Sequence, residues 1–288
     1  MPLLTLIDRW IARAARPDPV AIAAVAHLTP AVVVTGGSEG IGLEIAREFA
    51  VRGRAVVIVA RDPARLEAAL AYLGKQASNP VAMALDVTAP DAPAALDAAL
   101  AAHGLVLDIL VNCAGVGLCG PFESHDPAAI AHLIDLNVCA LTRLTRHALP
   151  GMKARARGGI LNIASLGGYV PGPNQAAYYA SKAYVCSLTE ALASECAGSG
   201  VRVCVLAPGP VETVFHVRMG ADQALYRWLF PALSPRRAAR AAVVHYTFGR
   251  RVIVPGILPK ALAVAVAILP HFVTLPVIRA LLAPRPGR

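Results

Sequence analysis

Charge is scarce in this 288-residue sequence: 16% of positions are Asp, Glu, Lys or Arg, against 56% hydrophobic. That balance excludes disorder over most of the length and allows one large core. Acid is scarcer still at one end. Residues 215–288 hold 11 basic residues and a single acid, Asp222, whereas residues 1–214 hold 16 basic and 17 acidic residues. The whole net charge of +9 therefore lies in the C-terminal quarter, which is also strongly apolar. A basic, apolar segment points to an anionic membrane surface, and its long aliphatic runs argue against a nucleic-acid partner. No CxxC pair occurs and no signal-peptide pattern opens the chain. Cys113, Cys119, Cys139, Cys186, Cys196 and Cys204 thus read as reduced, small apolar residues of a cytosolic protein. The eight histidines lack any ligand spacing such as HExxH, so no metal is expected. The apolar run 261–283 is broken by Pro270, His271 and Pro276, short of the roughly 20 uninterrupted residues of a membrane span. Two short helices lying in a membrane interface fit it, and so does a cap over a substrate cleft or a subunit contact.

What is present is an alternation of two kinds of segment. Short Val- and Ile-rich runs at 31–34, 55–60, 81–85, 107–111, 159–164, 201–206 and 251–255 lack polar alternation, as strands covered on both faces do. Between them, 41–52, 62–74, 91–103, 126–150 and 176–198 have helical length. Alternating β and α units predict an α/β fold of the doubly wound kind, a parallel seven-stranded sheet with helices on both faces. The expected organisation is an N-terminal helical extension over 1–30, a catalytic domain over 31–255 and an apolar basic extension over 256–288. Within the first, "LLTLIDRWIARAAR" has amphipathic helical spacing.

"TGGSEGIG" (35–42) lies between the first strand and the first helix of that pattern. A flexible turn accounts for its four glycines. A phosphate-binding turn does so more sharply, because it sets a helix N-terminus and bare backbone against a pyrophosphate. In that reading Gly36 and Gly40 supply unusual dihedrals and close approach, and Gly42 permits close helix–strand packing. At the end of the second strand, where an NAD enzyme places an acid for the ribose 2′-hydroxyl, stands Ala60, followed by Arg61 and, one helical turn on, Arg65. Two guanidinium groups suit a 2′-phosphate and hence NADP. Asp62 runs against this, as an acid able to compete for a ribose hydroxyl.

Downstream, Tyr178 and Lys182 are four apart on a predicted helix and share a face. A phenol titrates near 10, and a neighbouring ammonium is expected to lower that value. Ser165 ends the preceding strand, placed to polarise the same substrate oxygen. TGGSEGIG, "NCAG" (112–115), Ser165, Tyr178-x-x-x-Lys182 and "PGPVET" (208–213) together resemble the short-chain dehydrogenase/reductase family over about 31–255. With VARDPARLE, the turn looks like the branch of 3-ketodihydrosphingosine reductases and related lipid-ketone reductases.

The resemblance implies a Rossmann-type fold and hydride transfer between NADP(H) and a ketone or secondary alcohol. It implies Tyr178 as general acid/base, Lys182 as ribose holder and modulator of the phenol, and Ser165 as carbonyl orienter. Asn137 in "IDLNVCAL" is implied to support a water-linked proton relay through Lys182, and Tyr179 to be structural. Cofactor contacts are implied for Gly36, Ser38, Glu39, Gly40, Ile41, Gly42, Arg61, Arg65, Asp86, Val87, Asn112, Ala114, Gly115, Pro208, Gly209, Val211 and Thr213. No metal is implied, and homodimers or homotetramers are usual in the family. The loop from Thr213 to about Pro235, "VFHVRMGADQALYRWLFPAL" within it, is mostly apolar and aromatic. With the basic apolar tail, it leads us to expect a lipophilic substrate drawn from a membrane: a 3-ketosphinganine, a long-chain 3-oxoacyl compound or a steroid. The protein is then cytoplasmic, peripheral at a membrane face. Two alternatives stand beside this, a soluble metabolic dehydrogenase of small substrates and a membrane-associated dinucleotide sensor.

Overall fold

The structure, a computed structural model, describes residues 16–75 and 79–283. Its strands are β1 (Thr29–Thr35), β2 (Ala55–Ala60), β3 (Val81–Ala84), β4 (Leu105–Asn112), β5 (Gly158–Ile163), β6 (Val201–Leu206) and β7 (Val252–Ile253). They pair in parallel in the order β3-β2-β1-β4-β5-β6-β7. The alternating β and α pattern therefore folds as expected, with every strand boundary within two residues of the sequence reading.

Period-two alternation splits each strand between two cores. Val32 and Val34 of β1 pack with α2 (Gly40–Ala50), α3 (Pro63–Leu73) and α10 (Pro235–Thr247) on one face. Ala31 and Val33 pack with α4 (Ala92–Ala102), α6 (Leu141–Ala154) and α7 (Ala176–Glu195) on the other. Strand order reverses at β1, between β2 and β4, so a crevice opens at the carboxyl ends of β1 and β4.

The middle of the sheet is tied by buried polar groups. Asn112 at the end of β4 donates to Asn162 of β5 (2.9 Å) and to Thr145 of α6 (3.0 Å), and Asn162 donates to Thr189 of α7 (2.9 Å). The NH2 groups of both amides are thus paired, while Asn112 Oδ1 is buried without a partner among the described residues. The helix expected over 126–150 is interrupted: α5 (Pro127–Ile134) and α6 are joined by a π-turn over Asp135–Ala140. Hydrophobic spacing cannot show such a turn, because one extra residue hardly disturbs an apolar stripe.

At the N-terminus, Asp18 caps the short α1 (Pro19–Ala23). The amphipathic stretch before it lies outside the described residues, apart from Arg16. Two short helices lie between Thr213 and Pro235: α8 (Phe215–Arg218) and α9 (Tyr226–Leu229). The tail forms α11 (Ile257–Ile268) and α12 (His271–Leu282), separated at Leu269 and Pro270. It folds back over the crevice. Leu225 N–H donates to Ala283 O (3.1 Å), joining the end of α12 to the α8–α9 loop.

Candidate active site

The glycine-rich turn is held in place by a hydroxyl. Thr35 Oγ1 at the end of β1 accepts from the Cys113 and Ala114 amides (3.1 and 3.2 Å) and donates to Val111 O (3.3 Å). The turn thereby docks on the 112–115 segment. A Cβ on Gly36 would stand 2.9 Å from the Ala114 backbone, and one on Gly42 only 2.2 Å from Gly36 O. Side chains are excluded at both positions, and α2 starts directly against the crevice. This is a cradle of the kind a pyrophosphate needs.

Ser165, Tyr178 and Lys182 converge on the same crevice. Ser165 follows β5, and Tyr178 and Lys182 project from the first two turns of α7. Ser165 Oγ accepts from the Gly167 amide (3.1 Å) and stands beside the Tyr178 phenol. Lys182 Nζ lies 5.7 Å from the Tyr178 ring centroid and donates to Ile163 O at 3.0 Å. Electrostatics here departs from the expectation for the phenol. Burial raises Tyr178 above the ordinary tyrosine range, and the Ser165 contact only partly opposes it. Burial likewise lowers Lys182 to about 8. Desolvation of both groups outweighs the attraction that the sequence spacing suggested. Tyr179 instead packs its ring against Gly167 and Gly172, a structural position.

Asn137 sits inside the π-turn, 1% exposed. Its side chain accepts from Val116 N–H (2.9 Å) and donates to Val116 O (2.8 Å) and Ser181 Oγ (3.1 Å). A side chain so occupied holds the 115–116 backbone.

One cavity of about 560 Å³ joins these parts. Gly36, Ser38, Glu39, Gly40, Ile41 and Gly42 line one end, with Ala114, Gly115, Pro208, Gly209, Val211 and Thr213 beside Ser165, Tyr178 and Lys182. Leu258, Leu262, Val266, Ile278, Leu281 and Leu282 of the tail line the other end. Of the positions the sequence left open for the tail (membrane interface, cleft cap, subunit contact), the inner faces of α11 and α12 take the cleft-capping one.

Five residues expected to touch cofactor lie off this cavity. Asn112 is spent on the β4–β5 polar tie described above, so its side chain faces the core and not a ribose. Val87 is buried in the core against the second face of the sheet. Asp86 accepts from the Thr88 amide (2.9 Å) and hydroxyl (2.7 Å) at an exposed turn. Arg61 is exposed beyond β2, and its charge helps hold Asp86 below the usual carboxylate range, after the Thr88 hydrogen bonds. Arg65 pairs with Asp62 (3.1 Å) and lies 3.7 Å from Glu39. Asp62 is itself the α3 N-cap. Glu39 also pairs with Arg218 of α8 (Nη2 to Oε2, 2.9 Å), a contact that holds its carboxyl low. Sequence reasoning passed over Arg218, Gln175, His216 and Tyr226. All four line the cavity, and only their place in the expected substrate loop or beside the YxxxK segment signalled them. Among the described residues no cluster of metal ligands occurs.

The family model described as short chain dehydrogenase matches residues 30–224. A galactitol 2-dehydrogenase (L-tagatose-forming) of Cereibacter sphaeroides is 38% identical over 200 residues, 68% of this chain and 77% of the relative. A short chain dehydrogenase of Pseudocercospora fijiensis is 35% identical over 63% of this chain, which spans only 59% of that relative. Among solved structures, a short-chain dehydrogenase from Sphingobium yanoikuyae in complex with NADPH superposes with TM-score 0.72 at 31% identity, covering 84% of this chain and 97% of that one. None of the three is described as a sphingoid-base reductase, so the narrower branch resemblance gains no support from them.

The buried amine gives a test in the protein without nucleotide. Lys182 titrates at about 8 when folded against an ordinary 10.5, so the unfolded chain binds more protons between those values. Wild-type stability must then rise with pH across that window, by about 3 kcal/mol at 1.36 kcal/mol per pH unit. Lys182→Met lacks this rise. Its stability relative to wild type should be most favourable below pH 8 and should fall steadily from pH 8 to 10.5 in urea titrations. A pH-independent difference would contradict the burial of a titrating amine.

Proposed function

Because the chain belongs to the short-chain dehydrogenase family and is an oxidoreductase of alcohol and ketone groups, we propose that it interconverts a lipophilic ketone and its secondary alcohol with NADP(H). The observation that carries this reading is the continuity of the cavity, from the glycine turn past Tyr178 to an aliphatic wall built by α11 and α12. A bound nicotinamide cofactor supplies or accepts the hydride.

The chain's own groups do the rest. Burial keeps the Tyr178 proton in place at neutral pH, which suits a general acid for the oxygen of a reacting ketone. Ser165, beside that phenol, donates to the same oxygen as negative charge develops on it. Lys182 stands beside them, and Asn137 positions the 115–116 backbone against its amine. The tail excludes water, so these hydrogen bonds act in a low dielectric.

The NADP preference is supported by Arg61 and Arg65 beyond β2 and by the NADPH-bound relative. Asp62, the residue that argued against it, is committed to capping α3 and to Arg65. The galactitol relative favours a second reading, a small polar substrate, and chain-length preference separates the two. The intact Ser165–Tyr178–Lys182 group fits turnover and leaves the sensor alternative without a supporting observation.

Peripheral membrane docking belongs to the same proposal. The outer faces of the tail are bare: Ile257, Phe272 and Ile268 are 89%, 79% and 76% exposed. Trp228 and Leu229 of α9 are also exposed, and Lys260 and Arg279 add positive charge. Each tail helix has 12 residues, about 18 Å at 1.5 Å per residue, too short to cross a bilayer core of about 30 Å. An in-plane position fits these dimensions.

Three measurements check the proposal. In NADPH-oxidation assays, C10–C16 ketones should exceed short polar ketones in kcat/KM by at least about tenfold, since each buried methylene contributes ~0.8 kcal/mol; activity confined to the polar ketones would remove the lipophilic assignment. Replacing Arg61 and Arg65 together with Ala should weaken NADPH binding at least about tenfold more than NADH binding, and equal losses would refute a 2′-phosphate role. Full-length protein should float with phosphatidylserine vesicles and not with phosphatidylcholine vesicles, and Ile268→Ser with Phe272→Ser should abolish flotation; unchanged flotation of that variant would place the contact elsewhere.

A further inference from the structure

A row of rings leads away from Tyr178 along the loop after β6. Centroid separations are 5.6 Å for Tyr178–Phe215, 5.9 Å for Phe215–His216 and 6.0 Å for His216–Tyr226. All four side chains line the cavity. Most of the wall around them is hydrocarbon, so the polar atoms in the row bear on what the cavity selects.

Tyr226 Oη and His216 Nδ1 are 2.9 Å apart. Gln175, 3% exposed at the start of α7, lies near the same phenol, and its amide donates to Cys119 Sγ (3.8 Å). The Tyr226–His216 contact sets the direction of the hydrogen bond. The phenol, pushed up to about 12 by burial, keeps its proton, and the acceptor it meets is His216 Nδ1. A neutral imidazole that accepts at Nδ1 carries its hydrogen on Nε2. Burial and then the nearby Arg227 charge lower His216 to about 4, so the ring is neutral at physiological pH. Among the described residues no protein oxygen accepts from Nε2.

Arg227 adds the sign of the site. Its Nη1 is buried with no hydrogen-bond partner among the described residues. A positive charge behind the imidazole favours an electron-rich oxygen within reach and disfavours an ammonium group. The Tyr226–His216 pair is therefore a pre-set donor in a mostly aliphatic cavity.

We propose that His216 Nε2–H binds a second oxygen of the substrate. The preferred ketone then carries a hydrogen-bond acceptor a few bonds from its reacting carbonyl, as a 3-oxoacyl ester or thioester does. A plain hydrocarbon ketone leaves the donor unpaired, and an amino ketone meets the Arg227 charge. This inference rests on the oxidoreductase reading of the cavity and narrows its substrate class.

The test uses the full-length protein with NADPH and four ketones: methyl 3-oxododecanoate, 2-dodecanone, methyl 3-oxobutanoate and 2-butanone. Wild type should prefer each ester over the plain ketone of matched chain by at least about tenfold in kcat/KM, the worth of one well-placed hydrogen bond. His216→Phe should collapse that ratio toward one, chiefly through a higher KM for the esters, and His216→Gln, which keeps a donor, should restore part of it. A ratio unchanged in His216→Phe would overturn the proposal, as would a wild-type ratio near one. A preference for the short pair over the long pair would instead defeat the lipophilic reading while the ester-to-ketone ratio still decides the role of His216. Calorimetry of the NADP+ complex gives a readout without turnover. Methyl 3-hydroxydodecanoate should bind at least about tenfold tighter than 2-dodecanol to wild type and equally in His216→Phe, and equal binding to wild type would again overturn the assignment.

Discussion

Desolvation of a phenol and an amine in one crevice is the constraint on which the rest of this structure depends. Tyr178 and Lys182 are both moved toward their neutral forms by burial. That holds only because other elements keep water from them. The Ile163 carbonyl takes the amine's hydrogen bond, Ser165 meets the phenol, and the tail helices close the far end of the cavity. A proton held on Tyr178 and an aliphatic surround are two consequences of one packing decision.

The sheet supplies the geometry at little local expense. The reversal of strand order at β1 opens a crevice at the carboxyl end of the sheet, and each functional group sits one or two residues beyond a strand or on the first turns of a helix. The Asn112–Asn162–Thr189 chain fixes β4, β5 and α7 to one another. Thr35 fixes the glycine turn to the 112–115 segment, so the cradle and the Ser165–Tyr178–Lys182 group share one rigid support. The adaptable parts lie on the other side. The loop bearing α8 and α9, joined to the tail at Ala283, carries Phe215, His216 and Tyr226 into the cavity, while Arg218 reaches across it to Glu39.

The parts of this arrangement legible in the sequence are those with local causes. Short Val-rich runs announce buried parallel strands because burial on both faces removes polar alternation. Glycines 36 and 42 announce a close approach because no other residue tolerates it. Tyr178 and Lys182 announce a shared helix face by their spacing. What the sequence hid depends on distant partners. Asn112 looked like a ligand contact, yet its amide is taken by Asn162, fifty residues away, and by Thr145. The direction of the Tyr178 shift was misread because spacing reports an adjacent charge and says nothing of solvent exclusion. Prolines 270 and 276 showed that the tail would break, but not that its inner face would line the cavity while its outer face stayed bare. His216 and Tyr226, ten residues apart in an irregular loop, meet through a turn that no periodicity encodes.

The most direct test is a crystal structure of the protein with NADP+ and a long-chain secondary alcohol. The account places the alcohol oxygen within hydrogen-bond distance of Tyr178 Oη and Ser165 Oγ, with the alkyl chain running between Leu262 and Leu282 under an undisplaced tail. An alcohol seated elsewhere, or a chain leaving through solvent with α11 and α12 lifted from the cavity, would contradict it.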